Sequence, residues 1–376
     1  MHLNCLQENL SHGLGVVQRA VATRTTLPIT QHVLLATDGG RLKFSATNLE
    51  VAISTWVGAE ILEDGAITIP ARLLTDFVNS LERQAIEIQT TSPAKGIELK
   101  GEHVQATMNG ADASEFPPIP SVDEGVSTKV APKALRDAIH QVVMAAAVED
   151  SRPVLTGVNV ELEGSKLVLA AADGFRLAVH TTDLLEPVPE KISLIVPART
   201  LAEVERLIEG DDPIEIVVTP QRSQVLLRLK NVEIVSQLIQ GTFPNYSQLI
   251  PQEHSTRVVV DIGELQRATR TASIFAKDGS GIIRIEVAPA SGASTGKLTV
   301  SSRAEELGDN TGDIDAEVEG AEGKIAFNSR YLSDVLAVLG EGKVALEMTT
   351  SSSPGVIKPV DDDKYIHVVM PMFVQW

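Results

Sequence analysis

Lys133, Arg136 and His140 are spaced i, i+3, i+7, which places three basic groups on one face of a helix with Leu135, Ile139 and Val143 opposite. Arg267, Arg270 and Lys277 share a face in the same way, and no acid lies between Leu265 and Lys277. His12 and Arg19 repeat the i, i+7 spacing, with Arg24 just beyond. Cations so arrayed attract phosphate without reading bases. The same spacing also fits an ordinary solvated helix face.

Other reactive side chains lack a constellation. No Gly-rich phosphate loop, carboxylate-pair motif or Ser/His/Asp context occurs, so catalysis is not expected. Asp361, Asp362 and Asp363 are consecutive, and consecutive turn residues point in different directions, which suits a solvated loop better than a metal site. Cys5 is the single cysteine and stands beside only 8 scattered histidines, so neither a disulfide nor a thiolate zinc site is expected. It reads as a small, half-buried residue on the first strand. No cofactor and no metal are implied.

The elements that must carry these residues are repeated. Ile69-Pro70-Ala71-Arg72-Leu73-Leu74 recurs as Val196-Pro197-Ala198-Arg199-Thr200-Leu201, with the arginines 127 residues apart, and a weaker copy, Phe327-Asn328-Ser329-Arg330-Tyr331-Leu332, follows 131 residues later. Each copy predicts a short apolar strand running into a helix. Phe116-Pro117 and Phe243-Pro244 are also 127 apart, and each is followed by an Ile-Pro pair (Ile119-Pro120, Ile250-Pro251) that reads as a linker. The boundaries predict domains over 1–122, 123–252 and 253–376. Each third predicts an opening helix (about 5–22, 131–148 and 262–277), strand pairs, the Arg-led helix and a closing strand pair. The fold class is α+β: three small repeated domains, each with two helices packed on antiparallel sheet.

Charge follows the same division. The whole chain carries −18, yet the stretches 5–24, 71–81, 133–148, 199–206, 265–277 and 328–338 together carry +5, leaving −23 to the rest. Helices facing a polyanion and sheets facing solvent would have this segregation. No apolar run approaches the roughly 20 residues that span a bilayer, and the amino terminus lacks a basic stretch followed by an apolar one, so a cytoplasmic chain with no membrane partner is expected.

Six segments in order carry a family resemblance over about residues 1–372: Arg24-Thr25-Thr26-Leu27-Pro28-Ile29, Ala46-Thr47-Asn48-Leu49-Glu50, Asp112 to Pro120, Asp173-Gly174-Phe175-Arg176-Leu177-Ala178, Gly241-Thr242-Phe243-Pro244-Asn245-Tyr246 and Val368-Val369-Met370-Pro371-Met372. On these the chain resembles the bacterial replicative sliding clamp, the beta subunit of DNA polymerase III. The resemblance implies the DNA clamp fold: a head-to-tail homodimer whose six domains close a ring around double-stranded DNA, with helices lining the hole. It implies a non-catalytic processivity factor, so a DNA-directed DNA polymerase label would belong to the holoenzyme. Its expected partners are the polymerase III alpha subunit, the clamp loader, and other polymerases and repair proteins.

By the same resemblance, DNA contact falls to Arg24, Arg72, Lys133, Arg136, Arg199, Arg267 and Arg270, with Glu149 an acid where the family can carry a neutral polar residue. Arg72 and Arg199 also suit a local structural role at a helix start. Partner proteins are expected to insert a short apolar motif into a cleft formed by Arg152, Leu155, Ala172, Gly174, Phe175, Arg176, Leu177, Pro244, Leu249, Asn328, Tyr331, Val368, Met370, Pro371 and Met372. Without the family, Met370 and Met372 alternate as on a strand and suit ordinary core. Ala172 replaces a hydroxyl and Phe175 a frequent histidine, which makes the pocket more apolar. The dimer contact is expected at Ile274 and Phe275. The chain continues as Phe373-Val374-Gln375-Trp376, a tail expected to lie along the cleft mouth and compete with partner motifs. An acidic scaffold that binds only proteins is the other reading that a charge of −18 suits.

Overall fold

Alternating apolar residues build the strands, and a switch to helical spacing ends several of them. The computed structural model describes residues 1–376 except 92–94, 120–124, 150, 278–280, 292–294, 305, 307 and 376, and for Lys277 the backbone alone. In the first repeat the chain runs β1 (His2–Leu6), α1 (Gln7–Val17), β2 (His32–Asp38), β3 (Arg41–Thr47), β4 (Val51–Val57), β5 (Glu60–Glu63), β6 (Ala66–Pro70), α2 (Ala71–Asn79), β7 (Ala85–Thr90), β8 (Gly96–Lys100), β9 (Gln105–Asn109) and β10 (Ala111–Asp112). The second follows as β11 (Val126–Val130), α3 (Pro132–Val142), β12 (Gly157–Glu163), β13 (Lys166–Ala172), β14 (Arg176–Asp183), β15 (Ile192–Pro197), α4 (Ala198–Leu207), β16 (Ile214–Val218), β17 (Gln224–Arg228) and β18 (Val232–Gln237). The third is β19 (Thr256–Asp261), α5 (Ile262–Lys277), β20 (Ile282–Ala288), β21 (Gly296–Ala304), β22 (Gly308–Gly320), β23 (Gly323–Asn328), α6 (Ser329–Val338), β24 (Lys343–Met348), β25 (Gly355–Pro359) and β26 (Tyr365–Val369).

The strand-to-helix junction is present three times, as β6 into α2, β15 into α4 and β23 into α6. Three expectations need correction. Each Arg-led helix is followed by three paired strands rather than two, because β9, β18 and β26 each add to the preceding hairpin. A strand, not a helix, opens each repeat; Cys5 lies on this first strand, β1, as expected, but is buried rather than half-buried, and burial pushes its thiol up to about 12. Finally, α3 stops at Val142 and tightens into the 3-10 turn Val143–Ala145, so Val142 fills the core and Val143 is only half-buried.

Two compact units result. One comprises Met1–Lys133, Leu184–Val188 and Arg199–Leu238. It holds a five-stranded sheet, β5-β1-β7-β8-β9, and a nine-stranded sheet, β10-β6-β2-β3-β4-β18-β17-β16-β11. The antiparallel pairing of β4 with β18, Val51 opposite Ser236 through Thr55 opposite Val232, joins strands of the first and second repeats in one sheet. Helix α1 packs on it so closely that a Cβ at Gly13 would lie 2.6 Å from the Phe44 ring. It also meets α2, through Gln7 Nε2 donating to the Val78 carbonyl at 2.9 Å and Ser11 donating to Asn79 at 2.7 Å.

The other unit comprises Ala134–Asp183, Pro189–Ala198 and Ile239–Trp376. Its twelve strands run β15-β12-β13-β14-β26-β25-β24-β19-β22-β21-β20-β23. Here β14 pairs with β26, Arg176 opposite Val369 through His180 opposite Tyr365, joining strands of the second and third repeats. Helix α5 packs against α6, with Gln266 Nε2 donating to the Leu336 carbonyl at 2.7 Å.

Candidate functional site

The hairpin turn between β13 and β14 builds the first site. Asp173 Oδ1 accepts the backbone N–H groups of Phe175 (2.9 Å) and Arg176 (3.0 Å), and Gly174 takes φ +96°, a left-handed conformation that glycine adopts without strain. This turn holds Phe175 outward, 58% exposed, where its ring stacks on Tyr331 with centroids 6.4 Å apart. Tyr331 is set by α6, whose first turn is capped by the Asn328 side chain accepting from Arg330 N–H at 2.9 Å. Arg152 lies over Gly174, within 3.2 Å of where a Cβ would sit. Its own loop is pinned by buried Leu155, whose N–H donates to the Arg152 carbonyl at 2.9 Å.

Below these groups lies an apolar floor of Ala170, Leu177, Val179, Val356 and Val368, with Ala172, Tyr246, Ile250 and Ile366 packed against it. Tyr246 donates to Glu161 at 3.2 Å, and burial beside that carboxylate pushes its phenol up. Tyr246 and Ile250 pin the segment that carries exposed Pro244 and Leu249 to this floor. Met370 and Met372 follow β26 rather than lying on it, which corrects their expected place on a strand. Met370 N–H donates to the Phe175 carbonyl at 2.8 Å and Met372 N–H to the Ala326 carbonyl at 2.7 Å, so the backbone is fixed while the Met370 side chain stays 45% exposed. Core packing does not describe it. Pro371 and Met372 are half-buried, and Phe373 is 87% exposed. Trp376 lies outside the described residues.

Arg176 supports this surface from beneath. It is buried, donates to Asp173 at 3.0 Å and to Asp334 at 2.7 Å, and sits 4.5 Å from the Tyr331 ring centroid. Two carboxylates compensate one buried guanidinium, and they tie the β13–β14 turn to α6. Sequence reasoning missed Asp334, which lies 158 residues from Arg176 and carries no local signal. Nearby His367 is fully buried, paired through Nδ1 to Tyr365 Oη at 2.9 Å, and desolvation pulls its imidazole down to about 3.

The basic side chains assigned to DNA are all exposed. Arg24 lies in the loop before β2, Arg72 on α2 with Asp76 3.7 Å away, Lys133 and Arg136 on α3, Arg199 on α4, and Arg267 and Arg270 on α5. Of the net charge carried by the six helices, α5 supplies +2, α3 +1, α1 −1 and the others zero, a smaller excess than the sequence stretches predict. The reason is that Glu264 falls inside α5 while Arg19 and Arg24 fall beyond α1. Arg330, exposed at the start of α6, occupies the position of Arg72 and Arg199 in the third repeat and was overlooked as a contact, although the repeat itself marks it. Ile274 is 65% exposed on α5 and Phe275 half-buried beside it. Among the described residues no group of three metal-binding side chains occurs, and no helix is long and apolar enough to cross a membrane.

Comparison with known proteins gives the same arrangement a family. Models of the DNA polymerase III beta subunit match in order: the N-terminal domain over residues 1–120, the central domain over 129–245 and the C-terminal domain over 247–373. The chain is 31% identical to the beta sliding clamp of Synechococcus elongatus over 99% of both chains. Among solved structures it is similar to the DNA polymerase sliding clamp of Bacillus subtilis, with a TM-score of 0.93 at 26% identity over 100% of both chains. It is also similar to the DNA polymerase III subunit beta of Pseudomonas aeruginosa, with a TM-score of 0.90 at 30% identity, covering 99% of this chain and 100% of that one. The chain belongs to the DNA polymerase III beta subunit family, the beta sliding clamps.

Proposed function

We propose that two copies of this chain close head to tail into a ring around duplex DNA and act as the non-catalytic processivity factor of a cytoplasmic replicase. Three domains, over 1–122, 123–252 and 253–376, supply the six of the ring. The observation that carries the reading beyond family membership is that Arg24, Arg72, Lys133, Arg136, Arg199, Arg267 and Arg270, with Arg330 added here, are all exposed on or beside helices. Few exposed cations hold phosphates weakly and without sequence preference, which suits sliding. Ile274 and Phe275 serve the contact between copies.

The polymerase alpha subunit, the clamp loader and repair proteins dock through short apolar motifs on the surface around Phe175, Tyr331, Leu249 and Met370. The exposed aromatic and methionine side chains there stand on a fixed floor, which suits several related motifs. The tail beginning at Phe373 competes for the same surface, and deleting residues 374–376 should tighten the binding of an apolar-ended peptide; an unchanged dissociation constant would remove that role.

Loading on nicked circular DNA tests the ring. A loaded clamp stays bound at high salt and leaves when the circle is cut. Retention that is the same on cut and closed circles would refute encirclement and favour the acidic scaffold.

A further inference from the structure

We propose that the seam between β4 and β18 carries a second binding site, for a short extended peptide segment with an apolar side chain next to a basic residue. The site goes beyond DNA encirclement and does not depend on it.

A cavity of about 220 Å³ opens at this seam, within the first compact unit. Its apolar lining comes from Leu49, Ala52, Val235, Pro117 and Pro118. That volume lies below the roughly 300–1,000 Å³ of small-molecule sites, so it suits one inserted aliphatic side chain rather than a cofactor. The amide side chains of Gln224 and Gln237, opposite each other in the β17–β18 register, border it and can bond an extended backbone.

The seam is built like the partner surface around Phe175. Asn48 Oδ1 accepts the N–H groups of Glu50 (3.0 Å) and Val51 (2.9 Å), as Asp173 Oδ1 accepts those of Phe175 and Arg176. Gln237 N–H donates to the Glu50 carbonyl at 2.8 Å, as Met370 N–H does to the Phe175 carbonyl at 2.8 Å. The registers agree as well: Ala52 faces Val235 where Leu177 faces Val368. Under the seam, Val217, Leu226 and Val235 form a small core with Ile119 packed on it.

Leu49 separates a used surface from a leftover of repetition. It holds φ +77°, the left-handed conformation that Gly174 takes at the matching place, and leaves its side chain 54% exposed. Glycine would hold that turn without strain. A strained leucine kept half in solvent at a cavity rim is explained by a contact that its side chain makes with something else.

Charge identifies the occupant. Among the described residues, Glu50 is the sole charged one lining the cavity. A basic residue beside the inserted apolar one therefore matches the seam.

Methyl NMR of the full-length chain tests this with two probes, acetyl-SLKLS-amide and acetyl-SLELS-amide. The lysine peptide should shift the methyl signals of Leu49 and Val235 and bind about threefold tighter than the glutamate peptide, the effect of one exposed ion pair. E50K should reverse that preference. L49G relieves the backbone and keeps the fold, yet should weaken the lysine peptide about tenfold through lost apolar contact. Shifts confined to Leu249 and its surroundings, no shifts, an unchanged preference in E50K, or shifts of the same methyls on concentrating the chain alone, which would make a second copy the occupant, each overturn the proposal.

Discussion

Arg176 and Phe175 are neighbours with opposite tasks. Arg176 is buried between Asp173 and Asp334, so R176A would leave two carboxylates without their cation and should lower stability by about 3–5 kcal/mol in chemical denaturation. Phe175 touches mainly Tyr331 and solvent, so F175S should leave the denaturation midpoint nearly unchanged while weakening an apolar-ended peptide by about tenfold in a binding titration. The sequence shows both residues after a turn-forming Asp-Gly pair, but it does not show which is buried, because that depends on Asp334 arriving from α6. His367 adds a pH dependence. Its folded imidazole is held far below the ordinary 6.5, so the unfolded chain takes up the proton first and stability is lost as pH falls from about 6.5 towards 3. Burial pulls His180 the same way. Denaturation at pH 7.5 and 4.5 should show a smaller stability gap in H367Q, the difference approaching about 1.4 kcal/mol per pH unit below 6.

At the scale of elements, the Pro-Ala-Arg repeat revealed all three strand-to-helix junctions because local chemistry makes them. Proline ends β6 and β15, and Asn328 caps α6 by its own side chain. Of the third closing strands, β9 and β18 were not visible, since each finds its place by pairing with the preceding hairpin. The segment after β26 was misread for a related reason. Its alternation resembles a strand, yet its two fixed N–H groups go to Phe175, in the β13–β14 turn, and to Ala326, on β23. Helix α5 carries the clearest exposed apolar residue among the helices. I274R should reduce the dimer to monomer at micromolar concentrations, read as mass by light scattering, with the thermal midpoint of the monomer preserved because the side chain is 65% exposed.

For the whole molecule, a chain of −18 tolerates DNA only where its few cations gather. R267E/R270E reverses two exposed charges on α5 and should shorten the lifetime of loaded clamps on circular DNA about tenfold or more at low salt, while peptide binding at the Phe175 surface stays unchanged. The three-part plan and the basic faces of α3 and α5 were legible because periodicity and charge are local. The joining of repeats into continuous sheets was not, because β4–β18 and β14–β26 bring together residues about 180–190 positions apart. That joining has a mechanical side. Pulling one repeat from the next would have to shear a ladder of backbone bonds in the middle of a sheet. Backbone amides of Ala52, Ile53, Ala178 and Val179 should therefore be among the slowest to exchange with deuterium.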